Sequence, residues 1–186
     1  STLEDATGTE LVTNGDMEAD SGWDNLTSPT TNERSTEQVH GGTYSRKFVA
    51  DGAMDGILSA TSNIALQTAG KLYQLTFWVY PDDTTEARVY LTDGTNSTTI
   101  DGADATVFSG LTQDAWNECT LVYEQTTTGT GGKVGVRATA AGTFYVDDVS
   151  IKEVTPGISS GALAFDSWYM DSGTAIQRQH NDGGTY

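Results

Sequence analysis

The spacing of apolar residues along one ten-residue stretch limits the fold more than any other feature of the sequence. Between residues 71 and 80, every second position from Tyr73 to Val79 is apolar. Because successive side chains of a β-strand point to opposite faces, this pattern predicts a strand with one face in a core. Similar alternation recurs at 86–92 and 133–139. The chain is therefore expected to bury its apolar residues mainly through strands.

Turn residues separate these runs, and helical periodicity is nearly absent. The chain contains 21 glycines and only 3 prolines, and turn signals such as Asp51-Gly52 and Asp93-Gly94 follow the apolar runs. This succession predicts an all-β sandwich of two antiparallel sheets. The polar stretch from Thr95 to Gly110 is expected to be a long loop. Strands are expected at 10–13, 33–39, 44–50, 57–64, 71–80, 86–92, 115–124, 133–139 and 143–152.

The charge balance excludes one class of partner. With 26 acidic and 9 basic residues, the chain has a net charge of -17. Nucleic acid binding requires a basic surface, so nucleic acid is not an expected partner. No apolar run is long enough to cross a membrane, so membrane insertion is not expected either. The single cysteine, Cys119, excludes a disulfide within the chain and is expected to be a buried thiol.

Acidic residues inside an apolar strand form the most unusual local pattern. The run Phe144–Ile151 contains Asp147, and alternation places Asp147 on one face with Tyr145 and Val149. A buried carboxylate is costly unless it is paired or bound to a metal. If the first and last strands are neighbours, Asp147 meets Glu18 near the N-terminus, in a clasp that suits Ca²⁺. The alternative is that backbone N–H groups or basic side chains satisfy both acids.

Several motifs in a fixed order resemble a known family. They are Leu-Val-Thr-Asn-Gly-Asp-Met-Glu at 11–18, Gly-Trp at 22–23, Gly-Thr-Tyr-Ser at 42–45, Leu-Thr-Phe-Trp-Val at 75–79, a tryptophan at 116, and Phe-Tyr-Val-Asp-Asp-Val-Ser-Ile at 144–151. This frame resembles carbohydrate-binding modules of the family 4/9/22 type, which are jelly-roll β-sandwiches similar to the galactose-binding-like fold. The resemblance implies a non-catalytic glycan-binding module. It also implies a structural Ca²⁺ held by Glu18, Asp147 and backbone carbonyl groups of residues 41–43.

Alternation also selects candidate glycan-binding residues on the polar faces of three strands. Aromatic rings cover the apolar faces of sugars, and guanidinium and amide groups bind hydroxyls. A second interpretation is that the loop from Thr95 to Gly110 covers these aromatic residues, or that they form a second small core. Trp23 and Trp116 are expected to serve packing. The candidate glycan-binding residues, expected on one sheet surface, are Gln74, Trp78, Tyr80, Arg88, Tyr90 and Arg137.

The sequence gives little support for an enzyme. Neither a His-Glu-x-x-His motif nor a phosphate-binding loop is present. Paired carboxylates occur at Asp82-Asp83 and Asp147-Asp148. Adjacent residues on a strand point to opposite faces, so neither pair is expected to flank one bond as glycosidase acids must. His40 and His180 lie beside glycine pairs and are interpreted as turn residues. We therefore expect no catalytic residues.

The C-terminal residues repeat part of the domain. The order Asp-Ser-(Gly)-Trp, Arg, His, Gly-Gly-Thr-Tyr occurs at 20–44 and again at 166–186. The sequence thus predicts a lead-in at 1–9, one module at 10–154, a linker at 155–161, and a partial second module or docking tail at 162–186. Residues 162–186 are expected to allow self-association through exposed apolar residues. These residues are Phe165, Trp168, Tyr169, Met170 and Ile176.

Two functions follow from these patterns. The first is a carbohydrate-binding or adhesion module of a secreted or surface protein, with a glycan or polysaccharide as partner. The second is a structural repeat subunit of a virion fibre or an extracellular filament, in which the tail drives head-to-tail assembly. Both place the protein outside the cell, on a cell surface or on a virion surface.

Overall fold

A computed structural model describes residues 8–60, 64–65, 67–92, 106–125, 132–154, 168–171 and 174–177. Throughout these ranges the regular structure is β-strand, and none of them contains a helix. In consequence, no helix in this part of the chain is long and apolar enough to cross a membrane. Ten strands build the main domain, and two more form a separate hairpin.

The strands of the main domain are numbered in chain order. They are β1 (Trp23–Leu26), β2 (Thr31–Ser35), β3 (Ser45–Ala50), β4 (Gly56–Ser59), β5 (Leu72–Pro81), β6 (Glu86–Thr92), β7 (Thr106–Ser109), β8 (Asn117–Glu124), β9 (Lys133–Arg137) and β10 (Gly142–Val154). The first sheet has the order β1-β4-β9-β6-β7, and the second has the order β2-β3-β10-β5-β8. All pairings are antiparallel. The predicted all-β jelly-roll sandwich is therefore confirmed.

The core lies between the two sheets and is built by the predicted alternation. The second sheet contributes Phe77 and Phe144, and the first sheet contributes Val89 and Val136, all at most 1% exposed. Every second residue of β5 is buried. Burial of such side chains is worth roughly 1.5–3 kcal/mol each. The sandwich is thus stabilised mainly by the inner faces, which leaves both outer faces available for polar and aromatic residues.

Three sequence-based strand predictions differ from the structure. β1 was not expected from the sequence, and β7 lies within the stretch Thr95–Gly110 that was expected to be a loop. The strand expected at 10–13 is reduced to an isolated bridge between Val12 and Ile64. The N-terminal segment nevertheless lies along β10, because Val149 donates a hydrogen bond to the carbonyl oxygen of Gly15 (2.9 Å). The first and last parts of the domain are therefore neighbours.

The chain divides into two compact units. The sandwich belongs to the unit Asp5–Thr155, and the other unit comprises Pro156–Tyr186 with Ser1–Glu4. In the second unit, β11 (Trp168–Asp171) pairs antiparallel with β12 (Thr174–Gln177). The predicted assembly surface lies outside the described part of the chain, which includes no side chains of Trp168, Tyr169, Met170 and Ile176 and no part of Phe165.

Candidate functional site

The loop of residues 40–44, called the clasp loop, is held at one end by an acid from the start of the chain. Oε1 of Glu18 accepts hydrogen bonds from the backbone N–H groups of Thr43 (2.6 Å) and Tyr44 (3.0 Å). These hydrogen bonds lower the pKa of Glu18 below its usual value. Arg34 supports the same contact: it donates to the carbonyl oxygen of Glu18 (2.7 Å), and its guanidinium lies 4.3 Å from the ring centre of Tyr44.

Asp147, from β10, holds the other end of the clasp loop. Its side chain is completely buried. Oδ2 accepts hydrogen bonds from the N–H groups of His40 (3.0 Å) and Gly41 (3.1 Å), and Oδ1 accepts one from the N–H of Asp148 (2.9 Å). Burial raises the pKa of Asp147 to about 6, although these hydrogen bonds act in the opposite direction. The start of the chain and its last sandwich strand are thus joined through the clasp loop.

A bulge in β10 gives Asp147 its position. The register between β10 and β5 shifts between Asp147 and Ser150, and Asp148 has a φ of 48°. Asp147 pairs with a β5 residue of the outer face and lies there with Tyr145, whereas Val149 is part of the core. The prediction that Val149 and Asp147 share a face is wrong, because the bulge adds one residue and reverses the alternation after it.

The donor set of the clasp fits Ca²⁺ in its chemistry. In the described part of the chain, no three acidic, histidine or cysteine side chains are close enough to hold a metal by themselves. An ion here would thus need backbone carbonyl oxygens in addition to Glu18 and Asp147. Carboxylate and carbonyl oxygens are the ligands that Ca²⁺ prefers. Both carboxylates already accept backbone N–H donors but retain unused lone pairs, so hydrogen bonding and an ion are compatible.

The candidate glycan-binding residues do not lie on one surface. β5 belongs to the second sheet, whereas β6 and β9 belong to the first. Gln74, Trp78 and Tyr80 therefore lie on the outer face of the second sheet, and the three remaining candidates lie on the opposite outer face of the sandwich. The prediction of a single surface is corrected, because alternation sorts the residues within a strand but does not say which sheet the strand joins. The candidates of the first sheet are Arg88, Tyr90 and Arg137.

On the second sheet, ring–ring contacts build an aromatic cluster, made of His40, Trp78, Tyr80, Trp116 and Tyr145. The imidazole of His40 stacks on the indole of Trp78 with ring centres 3.8 Å apart and planes inclined by 16°. Trp116 packs edge-on against His40 (5.5 Å) and Tyr80 (5.7 Å). Nδ1 of His40 lies 2.6 Å from Oδ2 of Asp148. His40 was expected to be only a turn residue, because nothing in the sequence links it to Trp78.

On the outer face of the first sheet, cross-strand neighbours form two rows. One row contains Tyr90, Gly135 and Leu58, and the next contains Arg88 and Arg137. A side chain at Gly135 would meet Leu58 at 3.1 Å and Leu26 at 3.2 Å, so two leucines cover the glycine that lies between Leu58 and Tyr90. Arg137 is only 5% exposed, and its guanidinium lies 5.3 Å from the ring centre of Tyr90. An apolar row thus lies beside a row of guanidinium groups, and we call this surface the arginine face.

Three further predicted residues have structural roles. Trp23 is buried, and its indole N–H donates to the carbonyl oxygen of Asn14 (2.9 Å). Trp116 packs in the aromatic cluster. Cys119 is 1% exposed, and burial raises the pKa of its thiol to about 12. These observations agree with the packing roles expected from the sequence.

Comparison with known proteins places the fold among carbohydrate-binding modules. No protein-family model matches the chain, and no curated protein sequence matches it either. Similar solved structures include a family 22 xylan-binding module from Paenibacillus barcinonensis (14% identity, TM-score 0.57, covering 81% of this chain and 97% of that one). A family 61 carbohydrate-binding module in complex with β-1,4-galactotriose is also similar (15%, 0.55, 78% and 99%).

A third similar structure comes from a virus. It is the enzymatically active domain of tailspike protein 4 of bacteriophage CBA120 (17% identity, TM-score 0.57). The match covers 78% of this chain and 21% of the tailspike chain. At these identities the three similarities show the fold, and the fold is the jelly roll of carbohydrate-binding modules.

Proposed function

We propose that the domain is a non-catalytic carbohydrate-binding module and that the arginine face holds the glycan. The observation that carries the proposal is the apolar row of Tyr90 and Leu58 beside the guanidinium row of Arg88 and Arg137. A pyranose ring has an apolar C–H face that packs on such side chains, while its hydroxyl groups accept hydrogen bonds from guanidinium groups. The two rows thus match the two surfaces of a sugar.

The aromatic cluster on the other sheet is less suited to a sugar, because its rings already contact one another. His40 covers one face of the indole of Trp78 at stacking distance. The hydroxyl of Tyr145 donates to Glu37 (2.6 Å), and its ring packs edge-on against Tyr80. This cluster corresponds to the second small core that the sequence left open as an alternative.

The similar structures support a polysaccharide as the ligand class. One of them is described as a xylan-binding domain and another was solved with β-1,4-galactotriose. Both names concern those proteins, and we extend the ligand class to this chain because its fold and its arginine face suit the same chemistry.

Replacing Tyr90 by alanine tests the assignment of the face. We expect Tyr90→Ala to weaken binding to xylan or β-1,4-galactan at least tenfold in isothermal titration calorimetry, equivalent to about 1.4 kcal/mol. Tyr80→Ala, which removes a half-buried tyrosine from the opposite face, is the matched control and is expected to retain the affinity. The reverse result would move the site to the second sheet, and an unmodified domain that binds no polysaccharide would contradict the proposed function.

We also propose that Ca²⁺ binds at the clasp. The supporting observation is that two carboxylates from distant parts of the chain, Glu18 and Asp147, reach the same five-residue loop, and one of them is fully buried. When bound, the ion would supply positive charge that offsets the cost of burying Asp147.

A second candidate function is a structural subunit of a virion fibre or extracellular filament. The similarity to a bacteriophage tailspike domain favours it. In this case residues 162–186 would mediate self-association, and electron microscopy of the purified chain would show ordered polymers instead of single particles. With either function, we propose a location outside the cell, on a cell surface or on a virion surface.

A further inference from the structure

Positive charge is concentrated on the arginine face of a strongly acidic protein. The chain has 9 basic residues and a net charge of -17, yet Arg88, Arg137 and Lys133 all lie on this face. Arg88 and Arg137 are direct cross-strand neighbours. Like charges in directly opposite positions destabilise a sheet. Two acids share this face, Asp24 opposite Leu58 and Glu86 two positions before Arg88, and the two arginines are nevertheless placed side by side.

Carboxylates neutralise other cations of the domain but not Arg88. Arg46, Lys47 and Lys71 each have a carboxylate oxygen at 3.0 Å or less. Among the described residues, the polar contact of Arg88 is with the sulfur of Met54 (3.6 Å), and its buried Nε has no hydrogen-bond partner. A guanidinium prefers a carboxylate, which it binds through two parallel hydrogen bonds. Of the five N–H donors of a guanidinium, that of Arg88 has one described partner, and its Nε is buried, so the donors left for an external anion are those of its Nη atoms.

From these contacts we infer that the glycan is acidic, a polysaccharide whose uronic acid residues place a carboxylate on Arg88. The inference rests on the proposed glycan-binding function and names its ligand class. Arg137, held against Tyr90, adds positive potential beside the same position. The sugar ring lies over the neighbouring row of Tyr90 and Leu58. The net negative charge of the domain opposes a polyanion only weakly, because charges beyond about 8–10 Å are screened at physiological salt.

One polysaccharide before and after chemical reduction of its carboxyl groups provides a matched pair of ligands. Glucuronoxylan and carboxyl-reduced glucuronoxylan share a backbone and differ in charge. We expect calorimetry to show at least tenfold tighter binding of the acidic form, and homogalacturonan to bind more tightly than its methyl ester. Equal affinity for the acidic and neutral forms would overturn the inference and leave the glycan-binding function intact. Failure to bind any of these polysaccharides would contradict both the inference of an acidic glycan and the proposed glycan-binding function.

Two variants locate the charge effect on the arginine face. Arg88→Gln is expected to bring the ratio of acidic to neutral affinity close to one, and Arg88→Lys to restore only part of it, since lysine lacks the two-pronged geometry. Lys152→Gln removes a half-buried cation from the other sheet and is the control, expected to keep the ratio of the unmodified protein. If Arg88→Gln and Lys152→Gln lower the ratio of acidic to neutral affinity equally, the preference reflects general charge attraction, and the assignment to Arg88 is overturned. Melting curves establish that each variant is folded.

Discussion

At the scale of single residues, Gly42 allows the clasp to form. Its φ of +65° lies in the left-handed region, which L-amino acids with a Cβ atom rarely adopt. A Cβ atom at this position would overlap Oε1 of Glu18, at 2.2 Å. The glycine therefore provides both the turn and the space through which the carboxylate reaches the N–H groups of Thr43 and Tyr44.

Gly42→Ala is expected to destabilise the domain more than an alanine at another glycine with positive φ. The left-handed conformation alone costs about 1–2 kcal/mol, and displacement of Glu18 adds to it. Gly70 has a φ of +78° in open space, so Gly70→Ala measures the conformational cost by itself. Gly52 lies in open space without a positive φ, so Gly52→Ala is expected to introduce neither a conformational cost nor a clash. Urea denaturation compares the three variants. Equal losses for Gly42→Ala and Gly70→Ala would show that the contact with Glu18 contributes nothing.

At the scale of strands, Arg46 is one of the polar links between the two sheets, together with Asn32 of β2. It lies on β3, is 7% exposed, and points inward from the second sheet. It donates to the carbonyl oxygen of Trp23 in β1 (3.3 Å), to both oxygens of Asn32 (2.5 and 3.1 Å) and to Asp20 (3.0 Å). A buried charge with this many partners is satisfied, and removing it takes a donor from each acceptor, although the carbonyl oxygen of Trp23 keeps a hydrogen bond from Asn32.

Arg46→Met should therefore cost on the order of 3 kcal/mol, although methionine suits a core by size and polarity. The control is Lys71→Met, which breaks an exposed pair with Glu153 (2.7 Å) and is expected to cost less than about 1 kcal/mol. Guanidinium denaturation measures both. A loss for Arg46→Met as small as that of Lys71→Met would mean that water satisfies the acceptors and that the link between the sheets is unimportant.

The strands also show which parts of the fold the sequence predicts. The alternation of β5 places Tyr73, Leu75 and Phe77 in the core, as expected, because one strand contains all the information needed. β1 was not predicted, because apolar and polar residues alternate only weakly in Trp23–Leu26. This segment forms a strand by pairing with β4. Tertiary pairing, which a local pattern does not contain, determined this strand.

The sequence predicted individual residues of the candidate site but not which of them lie together. Asp147 was identified because an acid in an apolar strand is conspicuous, and Glu18 because it lies in the motif at the start of the chain; both accept hydrogen bonds from the clasp loop. The six glycan-binding candidates were divided between two faces, since sheet membership depends on topology. The sequence offers no local signal for the contacts of His40, whose imidazole stacks on Trp78 and lies 2.6 Å from Oδ2 of Asp148.

At the scale of the whole domain, closure joins the two ends of the sandwich. The N-terminal segment runs along β10 through hydrogen bonds of Leu11 to Ile151 (3.0 Å) and of Val149 to Gly15 (2.9 Å). Because the two ends lie side by side, Glu18 and Asp147 both accept hydrogen bonds from the clasp loop. Since Cys119 is the only cysteine, no disulfide within the chain reinforces it. A bound ion would take that role, because it ties distant parts of the chain together in the folded state alone.

Removal of Ca²⁺ should therefore lower the melting temperature without abolishing the fold. At an ion concentration of about 100 times the dissociation constant, the linkage stabilises the folded state by roughly 2.7 kcal/mol. For a domain of this size that corresponds to about 5–10 °C. Glu18→Gln should reproduce most of the loss and respond no further to chelator, whereas Glu153→Gln, an exposed acid of β10, should respond like the unmodified protein. If melting curves with Ca²⁺ and with excess chelator coincide for protein proven metal-free, the backbone N–H groups hold the clasp by themselves, and Asp147 is an ordinary hydrogen-bonded acid.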